Sequence, residues 1–112
     1  MNSPTAEPTF DSSLARRPLS QFPIPQTWNW KGLPICYQTE GKTGPAVVLI
    51  HGFGASWGHW RKYIPTLASQ CQVYALDLLG FGGSAKPLPS ETIGYRFETW
   101  GQQIVDFCLE IV

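Results

Sequence analysis

The chain has 112 residues, of which 43% are hydrophobic and 13% aromatic, enough for the core of one small domain or of part of a larger one. Eight basic residues balance eight acidic residues, so the charge predicts no attraction to nucleic acid or to a membrane surface. The longest apolar run is far shorter than the about 18 residues of a membrane span, and no apolar segment of a secretory signal is found near the N-terminus. We therefore expect a cytoplasmic protein, with a plastid location as the alternative.

The N-terminal segment, residues 1–26, contains five prolines among serine, threonine and glutamine residues. This composition predicts a flexible or extended arm, followed by a folded domain over residues 27–112. Trp28 and Trp30 alternate with polar residues, which predicts a half-buried strand. A tight turn is expected next, and then a second strand over residues 33–39, paired with the first as a hairpin.

The apolar run Ala46–Ile50 predicts a strand buried on both faces. It stops at the sequence His-Gly-Phe-Gly, whose glycines allow a sharp turn at the carboxyl end of the strand, where α/β sheets bind their ligands. Ser56 then has the position of a helix N-cap, and residues 57–69 predict a helix. Pro65 is expected to kink this helix or to shift its start.

Another strand is predicted for residues 72–77, followed by a long glycine- and proline-rich loop. From residue 93 or 95 to the end, apolar residues recur at steps of three and four, which predicts an amphipathic helix. About four strands and two helices in this order predict an α/β layer structure with some parallel pairing.

The three cysteines are odd in number, far apart and without the spacing of metal ligands. Each has apolar neighbours in the sequence, so we expect reduced thiols in the core: Cys36, Cys71 and Cys108. No metal and no cofactor is predicted.

Two glycine-rich motifs follow successive predicted strands, HGFGAS at residues 51–56 and DLLGFGGS at residues 77–84. In type, order and spacing they resemble the HGxG and DxxGxGxS segments of the α/β-hydrolase fold family. The resemblance covers about residues 28–112 and implies the amino-terminal portion of an α/β-hydrolase sheet, incomplete. The segment WGHWR at residues 57–61 is similar to esterase-like and pheophytinase-like members of cyanobacteria and chloroplasts.

The resemblance implies a serine-type hydrolase acting on an ester or a related acyl bond. The backbone N–H of Phe53 would then form part of the oxyanion hole, where one donor stabilises the transition state by about 3 kcal/mol. Gly52, Gly54 and Trp57 are expected at the substrate. His51 is expected to be structural, its imidazole holding the loop through hydrogen bonds.

The second motif is also expected to be structural. Asp77 ends a strand, and its carboxylate is expected to accept backbone N–H groups of the following glycine loop. Gly80, Gly82 and Ser84 are assigned to the same local role.

Two other motif matches are rejected. Residues 54–58 satisfy the G-x-S-x-G pattern of a nucleophile elbow, but Ser56 lies where a helix cap belongs and no histidine follows His59. Residues 80–85 imitate a dinucleotide-binding loop, but the prolines that follow Lys86 prevent the helix that such a loop requires.

The resemblance places the nucleophile, the acid and the catalytic histidine in a later part of the fold, so they are assigned to no residue of this chain. We therefore predict a truncated domain that is inactive by itself and marginally folded, and whose full-length form acts on a small-molecule acyl substrate. Residues 46–50 would form an open sheet edge prone to self-association.

Three alternatives stay open. The chain is a non-catalytic truncated product or interaction fragment, or it belongs to a dehalogenase-like member of the same fold. The third alternative is a binder of small hydrophobic ligands at a surface formed by Trp57, Trp60 and Trp100.

Overall fold

The structure, a computed structural model, describes residues 17–90 and 94–112. Its regular elements are four strands and two α-helices: β1 (Gln26–Trp30), β2 (Leu33–Glu40), β3 (Ala46–Ile50), α1 (Ile64–Ala68), β4 (Gln72–Leu76) and α2 (Phe97–Glu110). Single turns of 3₁₀ helix are found at Leu19–Gln21 and Trp57–Trp60. Neither helix of the described part has the length and hydropathy needed to cross a bilayer.

The four strands form one mixed sheet in the order β1-β2-β4-β3. β2 is antiparallel to both of its neighbours, whereas β3 and β4 run parallel, with Val48 opposite Tyr74. Because β3 and β4 are parallel, the loops that follow their carboxyl ends lie at the same edge of the sheet. The predicted fold class, α/β with partial parallel pairing, is confirmed.

The hairpin between β1 and β2 is also confirmed. Lys31 and Gly32 both have positive φ, 53° and 81°, as a two-residue type I′ turn requires. The side-chain oxygen of Asn29 accepts the Gly32 N–H at 2.8 Å and so fixes the turn.

The helix predicted over residues 57–69 is present only in its second part, and its shifted start is one of the two outcomes expected of Pro65. A 3₁₀ turn comes first, and α1 begins only at Ile64, so that Pro65 lies in its first turn, where a missing N–H has no cost. Ser56 precedes the 3₁₀ turn but forms no capping hydrogen bond. The N–H of Trp57, the first residue of that turn, donates to Asp77 Oδ1 at 2.5 Å.

The flexible arm predicted for residues 1–26 does not describe residues 17–25, and residues 1–16 lie outside the described part. The Arg17 guanidinium donates to both carboxylate oxygens of Glu40, at 2.7 and 2.9 Å. Phe22 is 7% exposed and packs its ring against Trp57, with 5.6 Å between ring centroids. This segment therefore packs on the domain, because an apolar ring and a bidentate ion pair hold it there.

Alternate residues of the sheet contribute to two separate apolar clusters. The cluster on the α2 side contains eight buried residues: Trp28, Trp30, Ile35, Leu76, Leu78, Leu79, Trp100 and Phe107. The cluster on the α1 side contains five: Phe22, Ile64, Cys71, Val73 and Ala75. β3 contributes to both faces but is only half-buried, contrary to expectation, because it is the edge strand of this sheet.

The cysteines differ in their environments. Cys71 is buried, Cys36 is half-buried, and Cys108 is exposed on α2. The expectation of three core thiols is therefore wrong for Cys108, which lies on the outer side of the helix.

Candidate active site

The loop after β3 is a tight turn that leaves one backbone donor unused. The Ala55 N–H donates to the Gly52 carbonyl at 3.2 Å, and Gly54 has φ of 78°, as the third residue of a type II turn requires. Phe53 is the second residue of the turn. Among the described residues, none accepts a hydrogen bond from the Phe53 N–H.

His51 joins this loop to the loop after β4. Its ring is 4% exposed, and its Nε2 accepts the Leu78 N–H at 3.0 Å. The proton of the ring is therefore on Nδ1, which donates to the Gly52 carbonyl at 2.7 Å. Since both ring nitrogens are engaged, the imidazole serves as a brace between two loops.

Asp77 organises the loop after β4. Its side chain is 1% exposed, with Oδ1 accepting the Trp57 N–H at 2.5 Å and Oδ2 accepting the Gly83 N–H at 2.8 Å. Gly82 has φ of 55°, and a Cβ there would lie 2.3 Å from Asp77 Oδ2. Only glycine fits at this position, because the backbone passes too close to the carboxylate.

Ser84 closes the same loop against β2. Its hydroxyl donates to the Asp77 carbonyl at 2.5 Å and accepts the Cys36 N–H at 2.9 Å. Burial, with the Asp77 carboxylate as the second cause, raises the pKa of the Cys36 thiol to about 11. At Gly80, where φ is 91°, a Cβ would meet the Tyr95 ring at 2.6 Å.

An apolar cavity of about 340 Å³ lies beside the Phe53 loop. It is lined by ten residues: Ile50, His51, Gly52, Phe53, Leu78, Phe81, Phe97, Trp100, Gly101 and Ile104. The Phe53 ring is 83% exposed and lies edge-on to Phe81 and Trp100, with centroid separations of 5.3 and 5.8 Å. The cavity is therefore an aromatic cleft next to the unused N–H of Phe53.

The tryptophans expected to act together lie on different faces of the sheet. Trp57 and Trp60 pack in the cluster of Phe22 and Ile64, whereas Trp100 is part of the α2-side cluster. The structure thus brings Gly52, Phe53 and Gly54 together but places the Trp57 side chain elsewhere. A single ligand surface formed by the three tryptophans is not found in the described part of the chain.

The two hydrogen bonds that hold Leu79, the residue after the cavity-lining Leu78, were not predicted from the sequence. The Trp100 indole N–H donates to the Leu79 carbonyl at 2.9 Å, and the Gln103 side-chain oxygen accepts the Leu79 N–H at 3.0 Å. Gln103 is fully buried. Its position between Trp100 and Phe107 on the apolar face of the last helix was the signal in the sequence, since a polar residue there requires a buried partner.

Comparison with known proteins agrees with this geometry. A family model described as alpha/beta hydrolase fold matches residues 45–111. The chain belongs to the α/β hydrolase fold family. Its four strands and two helices correspond to part of such a domain, as the sequence predicted.

Named relatives in this hydrolase family carry out different reactions. The chain is 50% identical over 62 residues to the 2-hydroxy-6-oxo-6-(2'-aminophenyl)hexa-2,4-dienoic acid hydrolase of Metapseudomonas resinovorans, a match that covers 53% of this chain and 21% of that protein. Its fold is similar to a membrane phospholipase A described as a bacterial virulence factor, with a TM-score of 0.72 and 31% identity over 89% of this chain and 30% of the other. A haloalkane dehalogenase variant from Bradyrhizobium elkanii gives a TM-score of 0.70 and 28% identity over 78% of this chain and 28% of the other.

The chain therefore spans about a fifth of the curated hydrolase and less than a third of the two solved structures. The activities in these names belong to those longer proteins. For this hydrolase-fold chain, the finer type, esterase-like or pheophytinase-like, stays a prediction.

Proposed function

We propose that this chain supplies part of the oxyanion hole of a serine-type hydrolase that cleaves an ester or a related acyl bond. The Phe53 N–H is the donor that receives the negative charge developing on the carbonyl oxygen. Fixed backbone donors stabilise such a charge strongly because no reorganisation is needed at the moment of reaction. The substrate is a small molecule whose apolar part lies in the aromatic cleft.

The observation that supports this proposal is the unused Phe53 N–H on a turn whose first and last residues, Gly52 and Ala55, are held by hydrogen bonds. Gly52 is held by His51 Nδ1, and the Ala55 N–H closes the turn onto the Gly52 carbonyl. A donor that is exposed but held in place is what oxyanion stabilisation requires. Trp57 then acts through its backbone N–H, which ties the segment after the turn to Asp77, and not through its ring.

Two substitutions at Phe53 separate the backbone N–H from the aromatic ring. Phe53→Pro removes the N–H at a turn position that accepts proline, whereas Phe53→Ala keeps the N–H and removes the ring. In a polypeptide that joins residues 1–112 to the remainder of an α/β-hydrolase domain, we expect Phe53→Pro to lower kcat for a nitrophenyl ester by about 100-fold or more. We expect Phe53→Ala mainly to raise KM.

An equal loss of kcat in both variants would show that the ring and not the donor matters, and would contradict the proposal. Circular dichroism of both variants checks that the fold is retained.

The 112 residues alone are proposed to be inactive toward esters, because only two histidines are present and His51 is engaged as a brace. Hydrolysis of a nitrophenyl ester by the purified chain, abolished by Ser56→Ala, would overturn this part of the proposal. Ser56→Ala is expected to change no activity.

The fold also supports chemistry at carbon–halogen bonds, and a dehalogenase-like activity is the alternative within the same family. Release of halide from a chloroalkane, with no cleavage of esters, would favour this alternative. The rates of hydrolysis of nitrophenyl esters with short and long acyl chains test the esterase-like type.

A second candidate function follows from the position of β3, which is the edge strand of the described sheet. An edge strand with apolar residues pairs readily with another strand, so the isolated chain would associate with itself or with a partner through Ala46–Ile50. Leu49→Lys, on the outer strand, is expected to convert an associated chain to a monomer in analytical ultracentrifugation. A wild-type chain that is monomeric at high concentration would contradict this candidate.

A further inference from the structure

A groove of about 580 Å³ lies on the segment between the turn at Phe53 and α1, separate from the aromatic cleft. It is lined by seven residues: Ala55, Ser56, Gly58, His59, Arg61, Lys62 and Tyr63. The lining contains no carboxylate, and three of its members carry basic groups.

The sequence concentrates positive charge in this region although the chain as a whole is neutral. Residues 41–76 contain no aspartate or glutamate, and they include Lys42, Arg61, Lys62 and both histidines. Arg61 and Lys62 are exposed, and neither forms an ion pair within residues 17–90 and 94–112. Charges of one sign that line a concave surface raise the local concentration of counter-ions.

The same groove contains a hydroxyl that local structure does not use. Ser56 stands at the cap position of the 3₁₀ turn, but its side chain forms no capping bond. Its oxygen instead lies close to Gly58, 3.5 Å from the place that a Cβ would occupy. A hydroxyl, an imidazole, a guanidinium and an ammonium group therefore line one groove as potential hydrogen-bond donors.

A lining of donors without a carboxylate matches a ligand whose oxygens are all acceptors and negatively charged. We propose that this groove is a phosphate-binding site, with Arg61 as the bidentate partner, Lys62 as the point charge, and Ser56 and His59 as further donors. The site is independent of the oxyanion proposal, since it uses neither Phe53 nor the aromatic cleft.

The test is a titration of the 112-residue chain with inorganic phosphate at low ionic strength, followed through the backbone amide resonances of residues 58–62. Saturable shifts are expected. The double variant Arg61→Gln with Lys62→Gln should weaken binding by about ten-fold or more, because two charge-assisted contacts are lost. Lys42→Gln removes the same type of charge from the loop before β3, at the other end of that strand, and should change the affinity less than about two-fold.

Vesicles distinguish a lipid headgroup from a free phosphate compound as the source of the group. Sedimentation with vesicles that contain phosphatidic acid, but not with phosphatidylcholine vesicles, would assign a lipid headgroup if the double variant abolishes it. Binding of inorganic phosphate without vesicle binding would assign a free phosphate compound.

The proposal is overturned if phosphate causes no saturable shift and the vesicles do not bind. It is also overturned if the double variant keeps the wild-type affinity, or if Lys42→Gln lowers it equally. Because Arg61 and Lys62 are exposed, we expect the variants to remain folded, and far-UV circular dichroism of each variant checks this.

Discussion

The loops after β3 and β4 leave neighbouring parallel strands, yet they use their polar groups in opposite ways. In the loop after β4, Asp77 and Ser84 are buried and hydrogen-bonded to backbone groups of their own loop and of other elements. In the loop after β3, the Phe53 N–H has no acceptor among the described residues, and the Phe53 ring is 83% exposed.

His51 connects the two loops, because it accepts from Leu78 at the β4 side and donates to Gly52 at the β3 side. The loop after β4 is therefore a fixed support, and the loop after β3 presents the Phe53 N–H to a ligand. Such a division is expected at functional sites, where a donor must be accessible and also held in place.

The largest effect is expected from Asp77→Ala, which breaks the supporting loop. The substitution removes the acceptor of both the Trp57 and the Gly83 N–H groups and leaves these donors without a partner. We expect a loss of about 3 kcal/mol in the free energy of unfolding, measured by urea denaturation. Asp106→Asn is the control, because the amide keeps an oxygen that can accept the indole N–H of Trp30, and its loss should be below about 1 kcal/mol. Equal losses would show that Asp77 has no special structural role.

The two loops also differ in how much space their left-handed glycines have. Gly82→Ala should lower stability by about 2–4 kcal/mol, because its Cβ would overlap with Asp77 Oδ2 in addition to the strain of positive φ. Gly54→Ala has open space around the Cβ, so only the backbone strain of about 1–2 kcal/mol is expected. Thermal unfolding of the two variants measures the difference, and a larger loss for Gly54→Ala would contradict it.

The thiol of Cys36, whose backbone N–H donates to Ser84 of the loop after β4, has an altered pKa. Its raised pKa of about 11 means that the folded chain favours the neutral thiol. Because the folded pKa lies above the unfolded one, this contribution to stability is complete below about pH 9 and is lost as the pH rises toward 11. In Cys36→Ser, we expect the free energy of unfolding to lose this dependence on pH between about 9 and 11.

At pH 8.5, alkylation of Cys36 by iodoacetamide is expected to be at least about ten-fold slower in the folded chain than in urea, since less thiolate is present. Peptide mapping resolves Cys36 from Cys108. Equal rates in the folded and unfolded chain would contradict the raised pKa.

The smallest effect on stability is expected on the side that presents the ligand group. Phe53→Ala should change the free energy of unfolding by less than about 1 kcal/mol, because the ring is 83% exposed. Leu79→Ala, in the fully buried core at the β4 side, should cost about 2–5 kcal/mol. Urea denaturation measures the free energy of unfolding of both variants. A loss for Phe53→Ala as large as that for Leu79→Ala would contradict the prediction.

Much of the fold could be predicted from the sequence because the relevant patterns are local. The alternation around Trp28 and Trp30, the Lys31-Gly32 turn and the apolar run at residues 46–50 each specify a strand or a turn without distant partners. The first helix was the exception. Pro65 signalled a boundary, but only the structure shows that the boundary precedes it at Ile64.

The glycines in the sequence predicted where the candidate site lies, but they did not predict the contacts that hold its parts together. The motif order indicated a turn after β3 and a glycine loop after β4, and both are present. The sequence predicted that Asp77 accepts an N–H of the following glycine loop, as Gly83 provides, but not that it accepts the N–H of Trp57, which lies far from it in the sequence.

By itself, the sequence determined the α/β class, the hairpin, the two glycine loops and the family, because period, turn residues and motif spacing act over short distances. Tertiary structure alone decided that Asp77 accepts the Trp57 N–H at the start of the 3₁₀ turn, that Trp57 turns away from Phe53, and that residues 17–25 pack on the domain. Each of these depends on which groups meet across the fold, and a buried donor or ring takes whichever partner the packing brings to it.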